Sequence, residues 1–158
     1  IRPNQLFALS LTYPVIEADS EEAKNIISVV EKKLLNAYGL KTLAKGEENY
    51  VEVYEGDGKK RDSSYHQGIT WPWLLGLYYN ALKNILKKTK KKDAKKELET
   101  KLEKFIEKTS KTFQKEISHN GCIGSISELY DSRKPYLPKG TIAQAWSVAE
   151  VFRIILNK

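Results

Sequence analysis

The run Tyr65-His66-Gln67-Gly68-Ile69-Thr70-Trp71-Pro72-Trp73 concentrates the chemistry of this chain. Two of the three tryptophans, one of the two histidines and one of the nine tyrosines fall within it. A carbohydrate site needs this mixture: hydroxyls demand paired donors and acceptors, and the apolar faces of sugar rings stack on Trp or Tyr. The same residues also suit a loop entering a helix with its aromatics in the core, and composition leaves both readings open.

The acidic residue that stands out is Glu128, in Gly121-Cys122-Ile123-Gly124-Ser125-Ile126-Ser127-Glu128-Leu129-Tyr130-Asp131. A carboxylate among small and apolar loop residues is placed to face a cavity, where partial burial suits it to acid or base work. The alternative is a surface or helix-capping glutamate. Asp57, Asp62 and Asp131 are further loop carboxylates. Most glycosidases work with two carboxyl groups flanking the scissile bond, but spacing does not say which of these approaches Glu128. His66 and His119 lie far apart, and neither belongs to a metal-ligand motif. Cys122 near His119 carries no thiol-enzyme signature, and Gly56-Asp57-Gly58 before Lys59-Lys60 is too short for a phosphate loop. No cofactor is expected.

Helices are the elements that must hold these groups. One is expected from Pro3 through Leu6, Phe7, Leu9 and Leu11. A second follows the i, i+3, i+4, i+7 pattern of Ala23, Ile26, Ile27, Val30 and Leu34. Asp19 and Glu22 would form its capping box, and Asn36 and Gly39 would mark its end. Tyr38 to Gly68 reads as a long loop and a candidate binding loop, with a short strand at the alternating Val51 and Val53. Helix resumes at Thr70, with Pro72 in its first turn. A lysine-rich helix runs from about Asp93 to Ile117, and a second loop from His119 to Gly140. The last helix opens at Thr141, with Gln144 placed for a capping box.

The 158 residues fit one domain spanning 1–158. The charge of +7, largely lysine, invites nucleic acid. Its distribution argues otherwise, because Leu98, Leu102, Phe105, Ile106 and Phe113 keep an apolar stripe among the lysines, which makes the charge a solvated helix face. Neither a nucleic acid nor a membrane is an expected partner: no apolar run approaches the roughly 20 residues of a membrane span. One cysteine excludes an internal disulfide, so a cytoplasmic setting is the default. The absence of methionine and a start inside a helical pattern read more readily as a piece of a longer polypeptide than as a processed chain.

Six blocks, in order, resemble one family: Arg2-Pro3-Asn4-Gln5, Tyr54-Glu55-Gly56-Asp57, Arg61-Asp62, Tyr65 through Trp73, Gly124 through Asp131, and Ala143 through Glu150. Together they look like the C-terminal amylo-α-1,6-glucosidase part of glycogen debranching enzymes, over almost the whole chain and most weakly in the lysine-rich helix. The resemblance implies an all-α fold, an incomplete (α/α)6 toroid holding about the last five helices with long pocket-forming loops. It implies hydrolysis of the single glucose on an α-1,6 branch stub of glycogen or a branched maltooligosaccharide, with inversion. Glu128 falls on the family's Ser-Glu motif and would be the general base. Tyr65, His66, Gln67, Trp71 and Trp73 fall on the segment lining the glucose pocket, and Gln144 and Trp146 on the pocket end of the last helix. Asn4, Gln5 and Asp62, in matching blocks, complete the expected substrate-binding set.

One part of the pattern is missing. The family's general acid is the aspartate of a Thr-Trp-Met-Asp motif upstream of the Arg-Pro-Asn block, and no such motif occurs here. An inverting hydrolase needs both groups. The expected partner is therefore an α-glucan together with the upstream half of the same toroid, as a separate subunit or the remainder of the chain. A catalytically silent glucan-binding module and another (α/α)6 hydrolase, glucoamylase-like, are the alternatives.

Overall fold

The computed structural model describes residues 1–157. A 3-10 helix at Pro3–Leu6 leads into α1 (Phe7–Ser10), followed by α2 (Glu21–Lys33), α3 (Gly58–Ser64), α4 (Leu74–Lys88), α5 (Lys92–His119) and α6 (Ala145–Ile155). Helix dominates, and the five expected helices are present. The central one is α4, which packs against α1, α5 and α6. Its buried face runs through Leu74, Leu75, Tyr78, Tyr79, Ala81, Leu82 and Ile85, the spacing of an amphipathic helix set into a core. In α5 the residues Leu102, Thr109, Phe113 and Glu116 are buried, while Lys104, Lys108, Lys111 and Lys115 stay exposed, so the lysine excess is a solvated face.

Several boundaries depart from the expectations. The cap of α2 is Ser20, whose hydroxyl accepts from the Ala23 N–H at 3.1 Å, rather than Asp19. Gly39 is not a left-handed stop, since α2 already ends at Lys33. A Cβ at Gly39 would lie 2.3 Å from the Trp71 carbonyl oxygen, so close backbone approach requires glycine there. The helix expected from Thr70 starts four residues later. Pro72 biases the residue before it toward extended backbone, and Thr70–Trp71 is a strand instead. No strand forms at Val51 and Val53. That segment makes separate bonds to different neighbours, Val51 N–H to the Gln67 carbonyl at 2.6 Å and Tyr54 N–H to Asp131 Oδ1 at 2.9 Å, so no ladder develops. Short α3 occupies part of the region read as loop.

Four two-residue strands, β1 (Leu40–Lys41), β2 (Thr70–Trp71), β3 (Leu129–Tyr130) and β4 (Pro138–Lys139), form an antiparallel sheet in chain order. The register sets Leu40 opposite Trp71, Thr70 opposite Tyr130, and Leu129 opposite Lys139. Side chains reinforce it: Asn36 donates to Thr70 Oγ1 at 2.6 Å, and the Thr70 and Ser132 hydroxyls bond at 2.7 Å. The sheet thus ties together the loops before α4 and before α6, and with them the two sequence segments that carry the candidate chemistry.

Candidate active site

Glu128 immediately precedes β3, where the hairpin partner opposite it is the Gly140 turn. Its backbone N–H donates to the Thr141 carbonyl at 2.9 Å. The residue is only 8% exposed, and its carboxylate is held at both oxygens. The Tyr65 hydroxyl donates to Oε1, and the Thr141 N–H donates to Oε2 at 2.9 Å. A backbone N–H has no accepting capacity, so Oε2 must act as acceptor. Burial first, and then the bond to Glu128, push the Tyr65 phenol well above its ordinary range, which keeps it protonated and donating. The result is a carboxylate fixed as an acceptor at the wall of an open cleft.

That cleft, of about 810 Å³, is lined by Tyr54, Glu55, Arg61, Asp62, Tyr65, Glu128, Lys139, Gly140 and Thr141. Of the loop carboxylates singled out in the sequence, Asp62 alone shares it. Asp57 caps α3 by accepting from the Lys60 N–H at 2.9 Å, and Asp131 is buried and accepts from the Tyr54 N–H. Both have structural work that accounts for them.

A ribbon of rings runs on from the cleft. Tyr54 and Tyr65 lie 5.8 Å apart between centroids, and Tyr65 meets Trp71 edge-on at 4.7 Å. His66 stacks on Trp71 at 5.3 Å. Trp146 meets Trp71 edge-on at 5.8 Å and stacks on Trp73 at 5.0 Å. The core-packing alternative holds for Trp71, which is 2% exposed and whose indole donates to the Tyr65 carbonyl at 3.2 Å. It fails for His66, which is exposed at the ribbon's edge, and Trp146, from α6, is 44% exposed in the same ribbon.

The remaining expected residues are dispersed. Asn4 and Gln5 sit on the 3-10 helix outside the cleft lining, with the Gln5 amide donating to the Arg2 carbonyl at 2.7 Å. Gln67 accepts from Arg2 at 2.9 Å. Gln144 occupies the cap position of α6 without a side-chain cap bond, so capping does not explain it. Sequence reasoning singled out neither Lys139, Gly140 and Thr141 nor Arg61 as site residues. The Gly-Thr pair is a usable signal that the expected helix start at Thr141 obscures; α6 begins at Ala145 instead.

A family model described as amylo-alpha-1,6-glucosidase matches residues 1–153. The chain belongs to the amylo-alpha-1,6-glucosidase family. It is a glycoside-hydrolase-related domain of the glycogen-debranching type. No helix among the described residues is long and apolar enough to cross a membrane. Within such a glucosidase domain, the Tyr65 bond makes a direct prediction. Tyr65→Phe, measured as glucose release by the active enzyme, is expected to lower turnover about tenfold, the scale of one hydrogen bond to a charged group. Glucan affinity changes little, because the ring remains. Unchanged turnover would remove Tyr65 from the support of Glu128.

Proposed function

We propose that this chain supplies the general base and one wall of the glucose pocket of an amylo-α-1,6-glucosidase acting on single glucose branch stubs of glycogen or branched maltooligosaccharides. The observation carrying this reading is Glu128, buried, held as an acceptor at both oxygens, and facing a cleft that opens onto an aromatic ribbon. In this role Glu128 takes a proton from the attacking water as the new C–O bond forms at the anomeric carbon. A carboxylic acid on the opposite face protonates the departing oxygen, and the product is inverted. Aromatic faces at Tyr65, His66, Trp73 and Trp146 take the apolar sides of sugar rings, while Asp62, Gln67 and Gln144 offer polar contacts. Asn4 and Gln5 belong to the proposed set through their block alone.

The acid comes from polypeptide outside these 158 residues, the upstream half of an (α/α)6 toroid of which this chain forms about the last five helices. Exposed apolar side chains support that partnership. Phe152 on α6 and Leu156 just after it are exposed, and so are Leu11, Tyr13 and Val15, which follow α1. Surfaces of this kind mark contact sites. The cytoplasmic setting stays with this reading. The test is a titration with branched and linear maltooligosaccharides, following tryptophan fluorescence and glucose release. The chain alone is expected to bind without hydrolysis, and to release glucose once the upstream portion is added. Binding that never leads to hydrolysis even then favours the silent glucan-binding module. Absence of binding in both settings rules out the pocket.

A further inference from the structure

The turn that follows Tyr65, beside the cleft, is held from an unexpected place. Arg2, at the opposite end of the sequence segment, reaches across to the His66–Gln67 turn. Its Nη1 donates to the His66 carbonyl at 2.7 Å and to the Thr42 carbonyl at 3.1 Å, and its Nη2 donates to Gln67 Oε1 at 2.9 Å. The same turn is pinned from its other side. Thr42 Oγ1 accepts from the Gly68 N–H at 2.9 Å and donates to the Ile69 carbonyl at 3.1 Å. Val51 N–H donates to the Gln67 carbonyl at 2.6 Å. Gly68 has φ +124°, and a Cβ there would lie 2.3 Å from the Val51 carbonyl oxygen, so the turn is packed against its neighbours. Yet the His66 imidazole makes no hydrogen bond to any described residue. It is held only by stacking on Trp71 and an edge contact with Tyr65 at 4.7 Å.

We infer that Arg2 is a positioning residue of the sugar pocket: its guanidinium fork fixes the His66–Gln67 turn and so aims the free imidazole edge and the Gln67 amide at the ligand. Three acceptors in three different groups require a planar donor with two nitrogens. A lysine ammonium has the charge without that geometry, so the conservative exchange does not substitute. Gln67 then has its amide NH2 left to donate, because Arg2 bonds its oxygen and the NH2 makes no hydrogen bond to any described residue.

The proposal rests on the reading of the Tyr65–Trp73 wall as a sugar pocket, and the test separates the two. In the 158-residue chain, Arg2→Lys and Arg2→Gln are compared with the native protein by imidazole and indole 1H–15N resonances, thermal midpoint and maltooligosaccharide titration. The expected result is altered His66 and Trp71 signals, a nearly unchanged midpoint, and affinity about tenfold weaker in both variants, the effect of one charge-assisted bond. Native-like His66 and Trp71 signals in Arg2→Lys overturn the proposal, and so does loss of the whole fold in both variants, which would make Arg2 simply structural. If the native chain binds no maltooligosaccharide, the pocket reading falls, while the resonances still decide whether Arg2 sets the turn.

Discussion

Replacing Glu128 with glutamine, in the completed enzyme proposed above, is expected to lower turnover by about 10²–10⁴-fold, the range that positioned base catalysis supplies. Glucan affinity should stay close to the native value. The exchange is close to isosteric, and the site tolerates it for a specific reason. Thr141 N–H can only donate, so the glutamine carbonyl must face it, which turns the new NH2 group toward Tyr65. The phenol accepts as well as donates, and it can rotate its proton away. Both hydrogen bonds therefore persist, the hairpin keeps its shape, and the ability to take a proton from water is what disappears. Glucose release from a branched oligosaccharide gives the turnover, and tryptophan fluorescence gives the affinity. Near-native turnover would remove Glu128 from the reaction, whatever the resemblance implies.

The helical frame was legible because its signals are long. Leu102, Phe105, Ile106 and Phe113 repeat at helical spacing through a run of lysines, and α5 extends on either side of the expected limits. The sheet was illegible because its strands are two residues each, too short for any alternation to register. Val51 and Val53 did alternate, and no strand forms there, since pairing depends on a neighbour that local pattern does not specify. Glu128 could be found from its loop setting. The partners that define it could not, because Thr141 reaches it through the register of the β3–β4 pair and Tyr65 from the distant end of α3. The role of Arg2 was illegible because it depends on three acceptors that converge on it from Thr42, His66 and Gln67. Gly39 illustrates a smaller error of the same kind. It looked like a helix stop, and it is needed instead because the Trp71 carbonyl passes where a Cβ would be.

Gly140→Ala should disable the site while leaving the fold standing, with turnover about a hundredfold lower, the scale attached to misplacing a catalytic group by about 1 Å. A Cβ at this position would lie 2.4 Å from Glu128 Oε2, 3.2 Å from Glu128 Cβ and 3.1 Å from Leu129 Cγ. Something has to move, and the carboxylate end of Glu128 is the softest of these neighbours. Its movement breaks the bond from the Thr141 N–H and swings the proposed base away from the water it would activate. Backbone strain adds a second cost, since Gly140 has φ +69° and an L-residue in the left-handed region loses about 1–2 kcal/mol. The two effects separate with Gly140→Asn, because asparagine tolerates that backbone conformation but carries the same Cβ. Turnover should fall equally in both variants, whereas the thermal midpoint should fall less in the asparagine variant. Native turnover in both would mean that Glu128 does not depend on the Gly140–Thr141 clamp. Recovery in Gly140→Asn alone would assign the loss to strain in the hairpin rather than to displacement of the base.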